Sequence, residues 1–443
     1  MPTPLREGTM GDDVGDLTTK DRDATVAALA AVQSALAATS SGALLDEIAW
    51  SRDVEARFFE AGADALPEPT YDVDRAAFAT ERKALERARD ALEGEGPIHA
   101  FLLGVLGSSI DKLRLLEAIG TDAFGAVSRD IYGSARTMFL GRSKLDLAQH
   151  LLERLSVHGW DRSRREAEPT ITAEDLAARF EAKAAARRGL ELRVAVDDTL
   201  TSKAIAGATR VRVRRGAMFS AWEADGLFRH EVETHAYSAQ NGLAQRHMPF
   251  LRSGGPRSTE TQEGLAVFAE LHHGALATPR LRRLALRVKV VAMAEDGADF
   301  LEVYRYLERF EGLAPRDAFL DASRVFRGGD VRGRSVFTKD TVYISGLMRV
   351  YAFLSVFVRG GFRDECELVM AGRIDLDDVL ALVLLDRMGL VVRPKHVPKW
   401  LREWDTLLPY FAFMSFVAGL DLAPVERSYE GLVAMAEDAR RRG

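Results

Sequence analysis

The chain contains a single cysteine, Cys366, among its 443 residues. One thiol cannot form an intramolecular disulfide, and proteins of reducing compartments rarely depend on disulfides. We therefore expect a cytoplasmic protein whose core is held by packing. No cysteine–histidine signature accompanies Cys366, so a catalytic role for this thiol is disfavoured.

Long apolar runs and a strong excess of one charge are also missing. The longest apolar stretch, residues 342–358, is interrupted by Ser345, Gly346, Arg349 and Ser355, whereas a membrane span needs roughly 18 predominantly apolar residues. A net charge of −6 is small for this length and gives no indication of the basic face that nucleic-acid binders carry. We therefore expect neither a membrane nor a nucleic acid as a partner.

The N-terminal segment, residues 1–22, carries acidic residues where a secretory signal needs a basic start and an apolar stretch. We expect this segment to be disordered and not to direct secretion. The chain as a whole is 47% hydrophobic and 28% charged, which is typical of a soluble protein with a sizeable core.

One short motif stands out, the run His230-Glu231-Val232-Glu233-Thr234-His235. Two imidazoles can bind Zn²⁺ through nitrogen, and a glutamate beside the first can take a proton from water activated by the metal. The histidines are five positions apart, which separates them by about 140° on an ideal helix. A π-type bulge would bring both onto one face. We predict such a bulge in a helix that runs from Ala221 towards Gln240, opened by a Ser220–Glu223 capping box.

A catalytic zinc ion needs a third protein ligand and keeps a fourth position open. Glu263 is the candidate, in the segment Thr261-Gln262-Glu263-Gly264-Leu265-Ala266. We expect it in the first turn of a helix opened by a capping box between Thr259 and Gln262. Gly264 lacks a side chain, which would let the two helices of the site approach closely.

The two motifs together resemble a known family. HEVETH followed by TQEGLA is similar to the QEGLA-motif proteins, whose bacterial members were labelled flavohaemoglobin expression modulators. The eukaryotic branch of that family contains microtubule-associated tyrosine carboxypeptidases, zinc enzymes that remove the terminal tyrosine of α-tubulin. Weaker similarity is found at residues 131–133, 211–220 and 337–343, so the resemblance covers most of the chain.

The resemblance implies roles for particular residues. It makes His230, His235 and Glu263 the ligands of one zinc ion per chain, and Glu231 the catalytic carboxylate. It also implies a single catalytic unit with helical extensions rather than separable domains. From the sequence patterns we expect a mainly helical α+β fold with a zincin-like metallopeptidase core, in which a small antiparallel sheet packs on two metal-bearing helices.

Within that unit we expect three regions after the N-terminal segment. Residues 23–165 have apolar residues at helical spacing and form a helical N-terminal region. Residues 166–285 form the metal-binding core, and residues 286–443 form a helical C-terminal region that completes the catalytic unit.

Strand-like alternation precedes the first motif. Apolar and polar residues alternate over residues 192–196 and 210–215, which predicts antiparallel strands. An edge strand beside a metal site can hold an extended peptide by main-chain pairing. We therefore expect residues 211–215 to be a peptide shelf, with Arg212 and Arg214 as substrate-binding side chains.

Three polar residues in the C-terminal region complete the expected site. A carboxypeptidase needs a cation for the free carboxylate of its substrate and a donor for the developing oxyanion. Lys339 and Tyr343 share one face of a helix predicted to start near Thr338, and Arg327 precedes two glycines. We expect Tyr343 to be the oxyanion donor and Lys339 or Arg327 to bind the carboxylate. The alternative is a solvated charged face with a tyrosine at the edge of the core.

The expected reaction is hydrolysis of a peptide bond at the C-terminus of a peptide or protein. Two alternatives stay open: a regulatory or binding protein with a structural zinc ion, and an endopeptidase or aminopeptidase. A structural zinc site normally closes its fourth position with a protein ligand, so the free Glu231 favours catalysis. The natural substrate and the oligomeric state do not follow from the sequence.

Overall fold

The computed structural model describes residues 19–155, 169–200 and 202–442. The predicted disorder of residues 1–22 concerns a segment of which residues 1–18 lie outside this described part. Where it is described, the chain is mainly helical with small sheets, which confirms the expected α+β class.

The N-terminal region is built from helices joined by short connections. They are α1 (Thr19–Ala37), α2 (Leu44–Glu47), α3 (Arg52–Glu60), α4 (Arg75–Asp90), α5 (Gly96–Ala118), α6 (Ala123–Tyr132) and α7 (Lys144–Arg154), with a hairpin of β1 (Met138–Phe139) and β2 (Arg142–Ser143) before α7. Helix α5 buries Leu102, Leu106 and Leu113. This spacing places them on one face, which packs into the core.

The central region contains the sheet and the helices that carry both motifs. Its elements are α8 (Ala173–Ala185), β3 (Arg193–Asp197), β4 (Ala204–Ala206), β5 (Arg210–Arg214), α9 (Ala221–Leu227), a π-helix (Phe228–Ala236), α10 (Tyr237–Leu243), a 3₁₀ turn (Pro249–Arg252) and α11 (Pro256–His272). The segment between α10 and α11, which the structure describes in full, contains no helix other than this 3₁₀ turn.

The three-stranded sheet has the order β3-β5-β4. Strand β4 pairs antiparallel with β5, and β3 pairs parallel with β5, with Val194 opposite Val211. The prediction of a purely antiparallel sheet, and of β5 as an edge strand, is therefore wrong. The short strand β4 reverses the chain between β3 and β5, so β3 and β5 run the same way. Alanine-rich β4 lacks the β-branched alternation that would have predicted it.

The C-terminal region is helical. Its elements are α12 (Thr278–Glu295), α13 (Phe300–Arg305), a π turn (Tyr306–Phe310), α14 (Pro315–Phe326), a 3₁₀ turn (Lys339–Thr341), α15 (Val342–Gly360), α16 (Arg363–Leu368), a 3₁₀ turn (Leu376–Asp378), α17 (Val379–Arg387), α18 (Lys399–Arg402), α19 (Trp404–Ala418) and α20 (Ala423–Arg442). One apolar cluster joins side chains of all three regions, among them Leu106, Phe268 and Leu354.

Helices α11 and α15 pack at very short range. A Cβ atom on Gly264 would collide with the backbone of Gly346, and one on Gly346 would collide with the backbone of Glu260. Gly264 was expected to admit the helix of the first motif, but the structure shows that it admits α15. The close contact fixes the position of Glu263 relative to the residues that precede and begin α15.

One helix of the described chain, Lys339–Gly360, is long and apolar enough to cross a membrane, and half of its most apolar stretch is buried in the protein. The bent pair α19 and α20 reaches the same length and composition only if the two helices count as one span. Buried core helices of soluble proteins share these properties, so the expected absence of a membrane partner stays a prediction.

Candidate metal centre

The first motif lies in the middle of a continuous helical segment formed by α9, the π-helix and α10. Ser220 opens the segment as predicted, because its hydroxyl accepts the Glu223 N–H and the Glu223 carboxylate accepts the Ser220 N–H. The predicted bulge is present as a π-helix over the whole motif, Phe228–Ala236. It brings the rings of His230 and His235 to 4.9 Å between centroids. The segment ends at Leu243, slightly beyond the predicted stop.

Three side chains converge beside this helical segment. The Nε2 atom of His230 lies 3.5 Å from Oε2 of Glu263, and Nε2 of His235 lies 3.9 Å from the same oxygen. One ligand atom from each residue lies within 4.8 Å of the others. In a tetrahedral zinc site, bonds of 2.0–2.1 Å place neighbouring ligand atoms about 3.3 Å apart. The three predicted ligands therefore need to move little to hold one ion.

Glu263 lies two turns into α11, not in its first turn. The helix begins at Pro256, because proline suits the first position of a helix and the Ser258 hydroxyl accepts the Gly255 N–H. The predicted start at Thr259, with a Thr259–Gln262 capping box, is therefore wrong. Gly254 and Gly255 give the segment before Pro256 the composition of a loop, so the earlier start of the helix was not predicted.

The carboxylate of Glu270, which was not predicted from the sequence, contacts the ring nitrogen of His230 that faces away from Glu263. Oε1 of Glu270 lies 2.7 Å from His230 Nδ1, and Arg280 donates two hydrogen bonds to the same carboxylate. Glu270 is seven residues after Glu263 and so lies on the same face of α11. This seven-residue spacing could have identified Glu270 from the sequence. Metal-binding histidines usually donate their second ring nitrogen to such a carboxylate.

Lys339 contacts the carboxylate of Glu263. Its Nζ atom lies 2.9 Å from Oε1, while Oε2 faces the two imidazoles. Burial by itself opposes the Lys339 charge, but Glu263 outweighs it and raises the pKa of Lys339. The two oxygens of Glu263 thus have separate partners. This arrangement suits a carboxylate that binds a metal ion through one oxygen.

Glu231 is buried beside the three converging residues and is not one of them. Burial and the nearby Glu263 raise its pKa to about 7, against the lowering effect of His230 and the Ala206 N–H. Arg373 donates to the carbonyls of Ala206 and His235 at 2.9 and 3.4 Å. Arg373 therefore links strand β4 to the motif. No sequence pattern links Arg373 to the motif.

The imidazoles lie in a strongly negative environment. Burial lowers the pKa of His230, but Glu263 and Glu270 more than compensate and raise it to about 10. Burial and the charge on His230 lower the pKa of His235. The site therefore favours one positive charge near the carboxylates and leaves the second imidazole neutral, and a neutral imidazole is the form that binds a metal ion.

Arginines surround Tyr343 on the α15 side of the centre. Lys339 Nζ is 5.5 Å and the Arg287 guanidinium 5.1 Å from the centre of the Tyr343 ring, and Arg324 Nη2 is 3.5 Å from the hydroxyl. Arg324 also binds Asp340 with two hydrogen bonds of 2.6 and 2.8 Å. The Lys339–Tyr343 pair does lie on one side of the helix start, as predicted.

Arg327 differs from these neighbours. Its side chain is 6% exposed and lies over the Phe337 ring, but it has no ion pair or hydrogen bond with any residue that the structure describes. Burial and the charge of Arg324 lower its pKa to about 10. A buried guanidinium without an anion is costly. This position therefore favours the binding of an anion.

The central strand β5 carries Arg212 and Arg214. Both were predicted to bind substrate from an edge strand. Arg212 forms ion pairs with Asp46 and Asp197 at 3.2 and 3.5 Å. Arg214 is buried, and the charged residues around it include Arg316 and Asp317. The structure does not group either residue with the three converging side chains.

Comparisons with known proteins give the family. A family model described as microtubule-associated tyrosine carboxypeptidase matches residues 56–419. The chain belongs to this family. Membership supports a carboxypeptidase-like activity, as the resemblance of the two motifs implied. The match ends before α20, so that helix lies outside the part shared with the family.

Similarity to individual known proteins is weak. No curated protein sequence matches the chain. A putative lipoprotein from Colwellia psychrerythraea is 12% identical with a TM-score of 0.39, over 79% of this chain and 73% of its own. Metallocarboxypeptidase 1 of Trypanosoma cruzi is 11% identical with a TM-score of 0.34, over 89% of this chain and 97% of its own. Likenesses at this level support no functional argument.

Proposed function

We propose that this protein is a zinc-dependent carboxypeptidase that acts on the C-terminus of a peptide or protein. One observation carries the proposal: His230, His235 and Glu263 converge on one point with Glu231 beside them, in a member of a carboxypeptidase family. Two imidazoles and one carboxylate are the ligand set of many catalytic zinc sites.

The proposed metal is zinc because of its ligands. His230 and His235 would each bind through Nε2 and Glu263 through Oε2, with Glu270 and Lys339 orienting two of these ligands. A zinc ion held there would supply Lewis acidity, which lowers the pKa of water and polarises a carbonyl. A structural zinc site would need a fourth protein ligand, and the described residues bring only three groups together.

Glu231 is the proposed general base. Its carboxylate is next to the ligands without being one, and burial raises its pKa to about 7. A carboxylate with a pKa near neutrality can take a proton from the attacking water and then give it to the leaving amine. Hydrolysis then needs no covalent intermediate.

Arg327 is the proposed binding group for the terminal carboxylate. Both Arg327 and Lys339 were candidates, but Lys339 already has Glu263 as its partner. The Arg327 side chain is buried and forms no ion pair or hydrogen bond with a described residue, and the nearby charge of Asp340 only partly offsets the cost of burial. A substrate carboxylate would supply Arg327 with an anion through charge-assisted hydrogen bonds.

Tyr343 is the proposed oxyanion donor. Its hydroxyl faces Arg324, and its ring lies beside Lys339, which contacts Glu263. A phenol held next to cations can donate to the negative charge that develops on the carbonyl oxygen. It would therefore act between the metal centre and Arg327.

The experiment is a peptide-library digest by zinc-loaded protein, read by mass spectrometry. The proposal predicts products shortened from the C-terminus, and no products with Glu231→Gln under the same conditions. Products cut internally would point to an endopeptidase, and products shortened from the N-terminus to an aminopeptidase. An intact library would contradict peptidase activity.

A further inference from the structure

The last two helices, α19 and α20, leave a large apolar surface uncovered. Its large apolar side chains are between 39% and 70% exposed. They are Leu408, Phe413, Met414, Phe416, Leu420, Leu422, Val425, Tyr429, Leu432, Val433 and Met435. We call this set the C-terminal patch. So many exposed large apolar side chains on two consecutive helices are unusual for a monomeric soluble protein.

Helix α19 is apolar on every side. Asp405 is its single charged residue, and its buried positions, Leu407 and Phe411, form one stripe. Phe411 packs against Phe268 and Tyr351 of the core. A helix that is hydrophobic all round is normally buried all round. The face with Phe413 and Phe416 therefore lacks the cover that the Leu407–Phe411 stripe has.

Helix α20 is amphipathic, and its apolar stripe is also uncovered. Tyr429, Leu432 and Val433 follow helical spacing, and none of the side chains described on α20 is buried. Tertiary packing of an apolar face supplies most of the stability of helices in proteins. The stripe on α20 therefore needs a partner.

We propose that the C-terminal patch is the interface of a homodimer, in which α20 pairs antiparallel with α20 of a second copy and the α19 faces close around it. The charges of α20 fit this pairing. In a symmetric antiparallel pair centred on Val433, Glu426 lies opposite Arg440 of the partner subunit, and the second copy repeats the contact. A two-fold interface uses the same patch on both chains, which gives such reciprocal pairs.

The area is also sufficient. Eleven large side chains at these exposures offer roughly 1,000 Å² per chain, whereas stable interfaces bury roughly 800 Å² per partner. A membrane is a poorer fit to the same patch. The polar face of α20 carries Glu426 and Glu430 as well as arginines, whereas helices at membrane surfaces are rich in lysine and arginine. Helix α19 has 15 residues, about 22 Å, which is short of a bilayer core.

The test is sedimentation velocity of the full-length protein over a hundredfold range of concentration. The proposal predicts a species of twice the mass of one chain. The double variant Phe413→Asp with Phe416→Asp should sediment as a monomer and keep the circular dichroism of the wild type, because both side chains are exposed. Phe310→Asp is the matched control, since Phe310 is 77% exposed and lies outside the patch. It should remain a dimer.

A charge reversal tests the antiparallel pairing. Glu426→Arg should raise the dimer dissociation constant at least tenfold, and combining it with Arg440→Glu should restore it. A wild type that is monomeric throughout, or a dimer that survives in the double phenylalanine variant, would overturn the proposal. So would a monomer that sediments with phosphatidylglycerol vesicles and loses that binding in the double variant, because a membrane would then cover the patch. The metal centre takes no part in this test.

Discussion

Nδ1 of His230 lies 2.7 Å from Oε1 of Glu270, and Arg280 binds the same carboxylate through two hydrogen bonds. The contact directs Nδ1 of the ring to Glu270 and turns Nε2 towards Glu263, where it would bind the ion. It also fixes the ring plane. The family motif ends before Glu270, but the same helix α11 carries both Glu263 and the group that orients the first histidine.

The first prediction concerns this contact. Glu270→Gln should weaken zinc binding roughly 10-fold to 100-fold, because the amide orients the imidazole less well and makes it a weaker ligand. Competition with a coloured chelator measures the affinity. Glu86→Gln, which loses an ion pair on α4, should leave zinc affinity unchanged. Equal affinity of the Glu270 variant and the wild type would show that Glu270 does not support the site.

The second prediction concerns the ligands. Purified protein should carry close to one zinc ion per chain, and His230→Ala, His235→Ala or Glu263→Ala should each remove most of it, because two ligands hold zinc poorly. Elemental analysis by mass spectrometry gives the zinc content. Full zinc content in all three variants would refute the assignment.

The third prediction separates the base from the ligands. Glu231→Gln should keep zinc and lose several orders of magnitude in kcat, because an amide cannot accept the proton of the attacking water. Its melting temperature should not fall below that of the wild type, since burial disfavours the Glu231 charge and raises its pKa, and the amide has no charge. Substantial residual activity would mean that another group is the base.

The fourth prediction concerns the contact between α11 and α15. Gly264→Ala should destabilise the protein by about 1–3 kcal/mol, because the new methyl group collides with the backbone of Gly346. Gly431→Ala on α20 is the matched control, because a methyl group at that position would have open space around it; it should be neutral or stabilising by roughly 0.5–1 kcal/mol. Denaturant unfolding measures both. Equal stability of the two variants would contradict the close packing.

Much of the candidate metal centre could be predicted from the sequence because the pattern that forms it is local. The five-residue spacing of His230 and His235 has few helical solutions, and the π-helix is the one that places both on a single face. The ligand set came from the residue types and from the family motif. Glu231 followed from its place beside the first histidine.

The predictions failed where the neighbours of a residue come from distant parts of the chain. The neighbours of β5 depend on the short strand β4, whose alanines carry no strand pattern, so Arg212 and Arg214 were placed at an edge that does not exist. The partner of Lys339 depends on how α15 packs against α11 at Gly264. Arg373 reaches the motif from far along the chain. The cytoplasmic location and the three-region division of the chain stay predictions.

The most direct measurement compares one good peptide substrate with its C-terminal amide and with a version extended by several residues. The buried Arg327 should favour the free acid over the amide by roughly 2 to 4 kcal/mol, or roughly 30-fold to 1,000-fold in kcat/KM. Arg327→Gln should shrink that ratio towards one, and Arg363→Gln, an exposed arginine elsewhere, should preserve it. A carboxypeptidase should release one C-terminal residue from the free acid and should cleave the amide poorly. Equal cleavage of the acid, the amide and the extended peptide would contradict it.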